Sequence, residues 1–93
     1  MKTTTNTYTL PQTTTPEKLQ ETMGSRTAII SFGKYVLVAG YHYDPKCRCY
    51  YGAIYRFTGR VQTCCGEIKL VNVSKRRFED DGHALAWAMG ETI

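Results

Sequence analysis

Between residues 27 and 57 the chain repeats one pattern: β-rich runs separated by breaks too short for anything but reversal. Residues 27–32 are followed by Gly33-Lys34, residues 35–43 by Asp44-Pro45-Lys46, and residues 47–57 by Thr58-Gly59. A two-residue break containing glycine, set between β-branched and aromatic runs, is a hairpin signal, and Asp-Pro marks a second turn. Parallel neighbours need crossovers of about a dozen residues, which these breaks cannot hold. An antiparallel meander is therefore expected. Beyond Thr58-Gly59 the reading continues with a strand over residues 60–64, a break at Gly66 and a last strand over residues 67–74.

Helical signals stand on either side of the meander. Thr15 can cap a helix, Pro16 suits its first position, and Glu17 complements its positive end. This helix runs to Met23 and stops at Gly24, with Leu19 and Met23 as its apolar stripe. Near the other end, Asp80 or Asp81 caps a helix that carries Ala84, Leu85, Trp87, Ala88 and Met89, and Gly90 ends it. Trp87 is the largest apolar side chain available, so this helix is expected to plug one face of the sheet. Residues 1–14 are rich in threonine and read either as a flexible arm or as an edge strand, with residues 7–10 alternating polar and apolar. At 93 residues the chain makes one domain, 1–93. The expected class is α+β, an antiparallel meander of four or five strands with a short N-terminal helix and a C-terminal helix packed on the sheet.

Charge is distributed unevenly along this layout. Residues 1–25 are neutral overall, residues 26–77 sum to +8, and residues 78–93 sum to −4, for a net charge of +4. A basic body with an acidic tail suggests an anionic partner, either nucleic acid or an acidic protein surface. No stretch reaches the ~18 apolar residues of a membrane span, and the polar start lacks a signal-peptide core. A cytoplasmic location follows as the expectation, with thiols kept reduced.

The cysteines come as Cys47-Arg48-Cys49 and Cys64-Cys65, poor spacings for a zinc knuckle. Reduced, partly buried thiols acting as small hydrophobes are the favoured reading, with zinc and a disulfide as alternatives. A tight turn brings His42 near Cys49, the skeleton of a nucleophilic site, but no orienting acid other than Asp44 accompanies it. There is no phosphate-cradling glycine loop and no carboxylate pair in a catalytic setting, and Glu79-Asp80-Asp81 reads as the acidic start of a helix. Neither an enzyme nor a metal or other cofactor is expected.

Five tyrosines fall between residues 41 and 55, beside Lys46, Arg48 and Arg56. In the expected hairpin Tyr41 lies opposite Tyr50, while Tyr51 and Tyr55 share a face. Tyrosine with arginine suits a recognition surface, and on a single nucleic-acid strand rings stack bases while guanidinium groups follow the backbone. The same tyrosines equally suit the core face of a small sheet. Lys75-Arg76-Arg77 adds a basic cluster between the last strand and the last helix. The candidate partner-binding residues are Arg48, Tyr50, Arg56, Arg60, Lys69, Lys75, Arg76 and Arg77, with Tyr41 and Tyr43 as apolar support.

In size, in its meander closed by KLVNVSKRRFEDDGHALAWAMG and in its lack of a catalytic motif, the chain resembles the small proteins with which phages disable host defence, in particular type I-F anti-CRISPR proteins. The likeness covers the layout and transfers no functional residue. It implies an inhibitor that binds a CRISPR-Cas effector complex, through Cas protein subunits or the guide RNA, and blocks target-DNA binding, with no membrane and no small-molecule substrate involved. The basic body departs from acidic DNA mimics and favours acidic protein patches or guide RNA as the surface met. A small sheet-based nucleic-acid-binding regulator is the alternative.

Overall fold

The computed structural model describes residues 10–24, 27–44, 47–63 and 65–92, without the side chains of residues 43, 44, 47 and 48. Five strands form one antiparallel sheet: β1 (Thr13–Thr14), β2 (Ala28–Phe32), β3 (Tyr35–Asp44), β4 (Cys47–Phe57) and β5 (Ile68–Val73), in spatial order β1-β5-β4-β3-β2. Helix α1 (Pro16–Met23) follows β1 and helix α2 (Asp81–Thr92) follows β5. The α+β meander expected from the turn spacing is the fold.

The hairpin signals act where they stand. Phe32 pairs with Tyr35 across the Gly33-Lys34 turn, and Gly33 takes the positive φ of 62° that a two-residue reversal demands. Tyr41 faces Tyr50 and His42 faces Cys49 in the β3–β4 register. Helix α1 begins and ends as its sequence dictates. The Thr15 side chain accepts from the Lys18 N–H at 3.2 Å, Pro16 opens the helix, and Gly24 closes it at φ 85°. The Gln20 amide then reaches the carbonyl oxygens of Gly24 and Thr27 at 2.9 and 3.1 Å, fastening the helix end to the start of β2.

Three expectations need correction. Residues 60–63 form no strand: β4 ends at Phe57, the Thr58 N–H donates to the Glu67 carbonyl at 3.0 Å, and the chain between them loops outward with Val61 57% exposed. With no partner to cover Val61, its β-propensity has nothing to act on. The loop folds back so that the Val61 carbonyl sits where a side chain at Gly66 would be, so Gly66 permits a close approach. Helix α2 runs through Gly90 to Thr92, whose hydroxyl donates to the Met89 carbonyl at 2.9 Å. The N-terminal edge strand is Thr13–Thr14, beyond Pro11, and residues 7–9 of the expected strand lie outside the described residues.

Period-2 alternation divides the sheet residues between two faces. One face carries Val36, Val38, Tyr51, Ala53, Tyr55, Phe57 and Ile68, buried together under Leu10 and Leu19. Tyr55 is fully buried and donates its hydroxyl to the Pro11 carbonyl at 2.7 Å, tying the segment before β1 to the sheet centre. Burial, with Tyr51 adding to it, pushes the Tyr55 phenol well above the ordinary tyrosine range. The other face carries Leu37, Ala39 and Ile54 against α2, whose Ala84 and Ala88 are fully buried. Gly52 makes this approach possible: a methyl group there would lie 2.5 Å from the Trp87 ring and 3.1 Å from the Ala84 carbonyl. Trp87 is half-buried against the sheet, with Leu85 and Met89 beside it. No helix among the described residues is long and apolar enough to cross a membrane.

Candidate nucleic-acid interface

Helix α2 packs on β3 and β4 and leaves one corner of its face of the sheet open. The corner is marked by Arg56 on β4, by Lys69 on β5, both exposed, and by Val71, which is 49% exposed. A bulge helps to form it. Ile54 faces Asn72 and Tyr55 faces Leu70, so Val71 has no partner across the ladder and the strand bends there.

Across this corner the registers assemble a row on the α2 face. Thr13 faces Lys69, Lys69 faces Arg56, and Arg56 faces Tyr35. The Lys34 ammonium stands 5.6 Å from the centre of the Tyr35 ring. The Phe57 N–H donates to the Lys34 carbonyl at 3.0 Å, which holds the β2–β3 turn beside the end of β4. Two grooves flank the row. One, of about 370 Å³, is lined by Arg56, Thr58, Lys69 and Val71, among others, and the second, of about 400 Å³, by Phe32, Lys34, Tyr35 and Thr92.

Arg56 and Lys69 oppose each other directly, an arrangement that costs stability when nothing neutralises it. No carboxylate among the described residues pairs with either cation. Glu67 lies near, but its Oε1 accepts from the Thr58 hydroxyl at 2.7 Å and forms an ion pair with neither. Two like charges thus stand side by side on the open corner of the sheet.

The remaining candidates gather at the opposite end of β4. Tyr41 and Tyr50 meet edge-on with ring centroids 5.3 Å apart, both half-buried. Tyr50 exchanges backbone hydrogen bonds with Phe78 at 2.9 and 2.8 Å, and Ser74 accepts from the Gly52 N–H while donating to the Arg76 carbonyl. These bonds clamp the loop between β5 and α2 onto the sheet. Arg76 stands 5.1 Å over the Phe78 ring, and Arg76, Arg77, Phe78, Glu79 and His83 line a third groove. Asp80 caps α2, accepting from the His83 N–H and meeting its ring Nδ1, each at 2.8 Å. Those hydrogen bonds hold the Asp80 carboxyl below its ordinary range. This end mixes both signs of charge, and Tyr50 serves the clamp through its backbone.

The candidates of the sequence thus divide into two groups. Tyr41, Tyr50, Arg76 and Arg77 lie at one end of the α2 face and Arg56 with Lys69 at the other, about 20 Å away at ~3.3 Å per residue along β4. Arg60 is exposed in the loop beyond β4, and Lys75 in the loop before α2. The side chains of Arg48 and Tyr43 lie outside the described residues. Tyr51 and Tyr55 belong to the core. Sequence reasoning missed Lys34 and Tyr35, although the register that sets Tyr41 against Tyr50 also sets Tyr35 against Arg56, one step down β3 for each step up β4.

The cysteines correct another expectation. Cys49 is disulfide-bonded rather than a reduced thiol, with its partner outside the residues whose side chains are described. Its sulfur is therefore neither a nucleophile for His42 to activate nor a thiolate for zinc. Spacing alone could not reveal this, because C-x-C and C-C pairs within one strand or turn do not disclose which sulfur meets which. Cys65 is exposed.

The fold and this corner define a small α+β domain with two exposed, cross-strand cations on an incompletely covered sheet. The profile of nucleotide modification associated domain 4 matches residues 10–92, and the chain belongs to that family. No curated protein and no solved structure matches it.

Proposed function

We propose that the domain binds nucleic acid through the Arg56–Lys69 corner and serves nucleotide modification as a binding module, without turnover of its own. The observation that carries this reading is the cross-strand pair of cations with no carboxylate partner among the described residues. Anions that neutralise such a pair remove its repulsion, and phosphates in series are the polyanion best suited to an open, extended surface. Family membership supports the nucleotide side of the reading. The basic body of the chain, +8 over residues 26–77, supplies the longer-range attraction.

Fluorescence anisotropy of a labelled oligonucleotide, titrated with the protein at several salt concentrations, tests it. Binding is expected to weaken with salt. The Arg56→Gln, Lys69→Gln double variant should flatten the logarithmic salt slope by about 1.4 for a single strand, at ~0.7 per phosphate contact. Equal slopes for the two proteins would remove the corner as the site. The inhibitor reading, binding to a type I-F effector complex, places a different partner on the same basic residues. Blocked target-DNA binding by such a complex, with no affinity for naked nucleic acid, would put it in place of the present proposal.

A further inference from the structure

We infer, resting on that reading, that the bound strand is single and that one of its nucleotides lies across the row, its base in the Phe32–Tyr35 groove and its phosphate on Arg56 and Lys69. The two grooves are adjacent and differ in character. One sets the two cations Arg56 and Lys69 and the Thr58 hydroxyl among Phe57, Leu70 and Val71; the other has two half-buried aromatic rings, Phe32 and Tyr35, with Lys34, Gly33 and Thr92 at its margin. Strand spacing sets the Tyr35 backbone roughly 5 Å from that of Arg56 and about 10 Å from that of Lys69.

Helix α2 fixes which end of the nucleotide goes where. Thr92 brings the C-terminus of α2 into the aromatic groove. A helix C-terminus carries negative partial charge and carbonyl oxygens beyond its own hydrogen-bond ladder, of which the Met89 carbonyl here already accepts from the Thr92 hydroxyl. That environment repels a phosphate and accepts hydrogen bonds from the N–H groups of a base edge. At the other end of the row the phosphate meets the unneutralised cations. The Lys34 ammonium stands 5.6 Å from the centre of the Tyr35 ring, and its flexible stem can swing off the ring to the next phosphate and leave the ring to a base. A duplex keeps its bases stacked inside and can offer the aromatic groove nothing. A single strand can unstack one base into it.

The test uses the full chain and three labelled probes of equal length: a single strand, the corresponding duplex and an abasic single strand. The single strand should bind roughly tenfold tighter than either of the others, within the range that one base–aromatic stack supplies. Tyr35→Leu, which keeps apolar bulk under α2, should bring the single strand down to the abasic level and leave abasic binding unchanged. Independently of that variant's folding, the Tyr35 ring protons of the unmodified protein should move upfield when a thymidine dinucleotide is added. Equal affinity for all three probes, an equal loss on both single strands in the variant, or an unmoved Tyr35 resonance would overturn this inference while leaving binding at Arg56 and Lys69 standing. Absence of binding to every probe would overturn both.

Discussion

Tyr55 and Arg56 are chain neighbours with opposite fates. Tyr55 points into the face closed by Leu10 and Leu19, is fully buried, and spends its hydroxyl on the Pro11 carbonyl. Arg56 points to the face that α2 covers only in part, and it is exposed opposite another cation. A single step along a strand reverses the face, so what separates core from site is how far each face is roofed. The Tyr55 face is sealed by α1 and the segment before β1. The Arg56 face is roofed by one helix that small residues draw tightly onto β3 and β4, and the corner over β5 stays open.

The largest test of this contrast is on the sealed side. Tyr55→Ala should destabilise the domain by about 3–5 kcal/mol, read by urea denaturation, because it leaves a ring-sized cavity and an unfilled carbonyl. Tyr55→Phe should cost only about 1 kcal/mol, the net value of the hydroxyl bond. Alkali probes the same residue. The raised phenol pKa means that the unfolded chain ionises Tyr55 first, so stability should decline as the pH climbs above the ordinary tyrosine value of 10.0, and Tyr55→Phe should flatten that decline.

Next in size is the roof. Gly52→Ala puts a methyl group against the Trp87 ring and the Ala84 carbonyl, and should cost about 1–3 kcal/mol while lifting α2. A red shift of the Trp87 fluorescence would report the lifting, and an unchanged spectrum with unchanged stability would show that α2 does not press on β4. On the open side the expectation changes sign. Arg56→Gln should leave stability within about 0.5 kcal/mol or raise it, because it relieves repulsion from Lys69. The gain should show in thermal melts at low salt and vanish at high salt. A clear loss at every salt concentration would mean that Arg56 belongs to the packing. The smallest effect belongs to the α2 cap. With its pKa held below 3.8, Asp80 stabilises the fold fully above the unfolded carboxylate value, and that contribution disappears as the pH falls through the lowered one. Asp80→Asn should shallow the acid limb of the stability curve followed by helical circular dichroism.

Much of the sheet could be read from turn chemistry. Gly33-Lys34 and Asp44-Pro45-Lys46 set the β2–β3–β4 meander, and the pairing of Tyr41 with Tyr50 followed from them. Thr15, Pro16 and Gly24 framed α1 because capping is local chemistry. The errors fell where tertiary context decides. Val61 and its neighbours have strand propensity but no strand beside them, and Gly90 sits inside a helix. The candidate site was legible in its residue types but not in its grouping. Arg56 and Lys69 are brought together by a register that depends on the Val71 bulge, which no periodicity announces. Tyr35 looked like an ordinary strand residue, because its place beside Arg56 and under Lys34 appears only once β4 returns along β3.

The spatial order β1-β5-β4-β3-β2 has a temporal side. Strands β2 to β5 are each bound to the strand just before or after them, so they can zip together hairpin by hairpin as the chain lengthens, at small loop-closure cost. Thr13 and Thr14, made early, pair with Lys69 and Ile68 near the other end, and the Pro11 carbonyl waits for Tyr55. During synthesis Thr13 and Thr14 therefore have no strand partner until β5 has left the ribosome. Among the described strands β1 is the one whose partner lies farthest along the chain, and its docking closes the sheet at the edge beside Lys69.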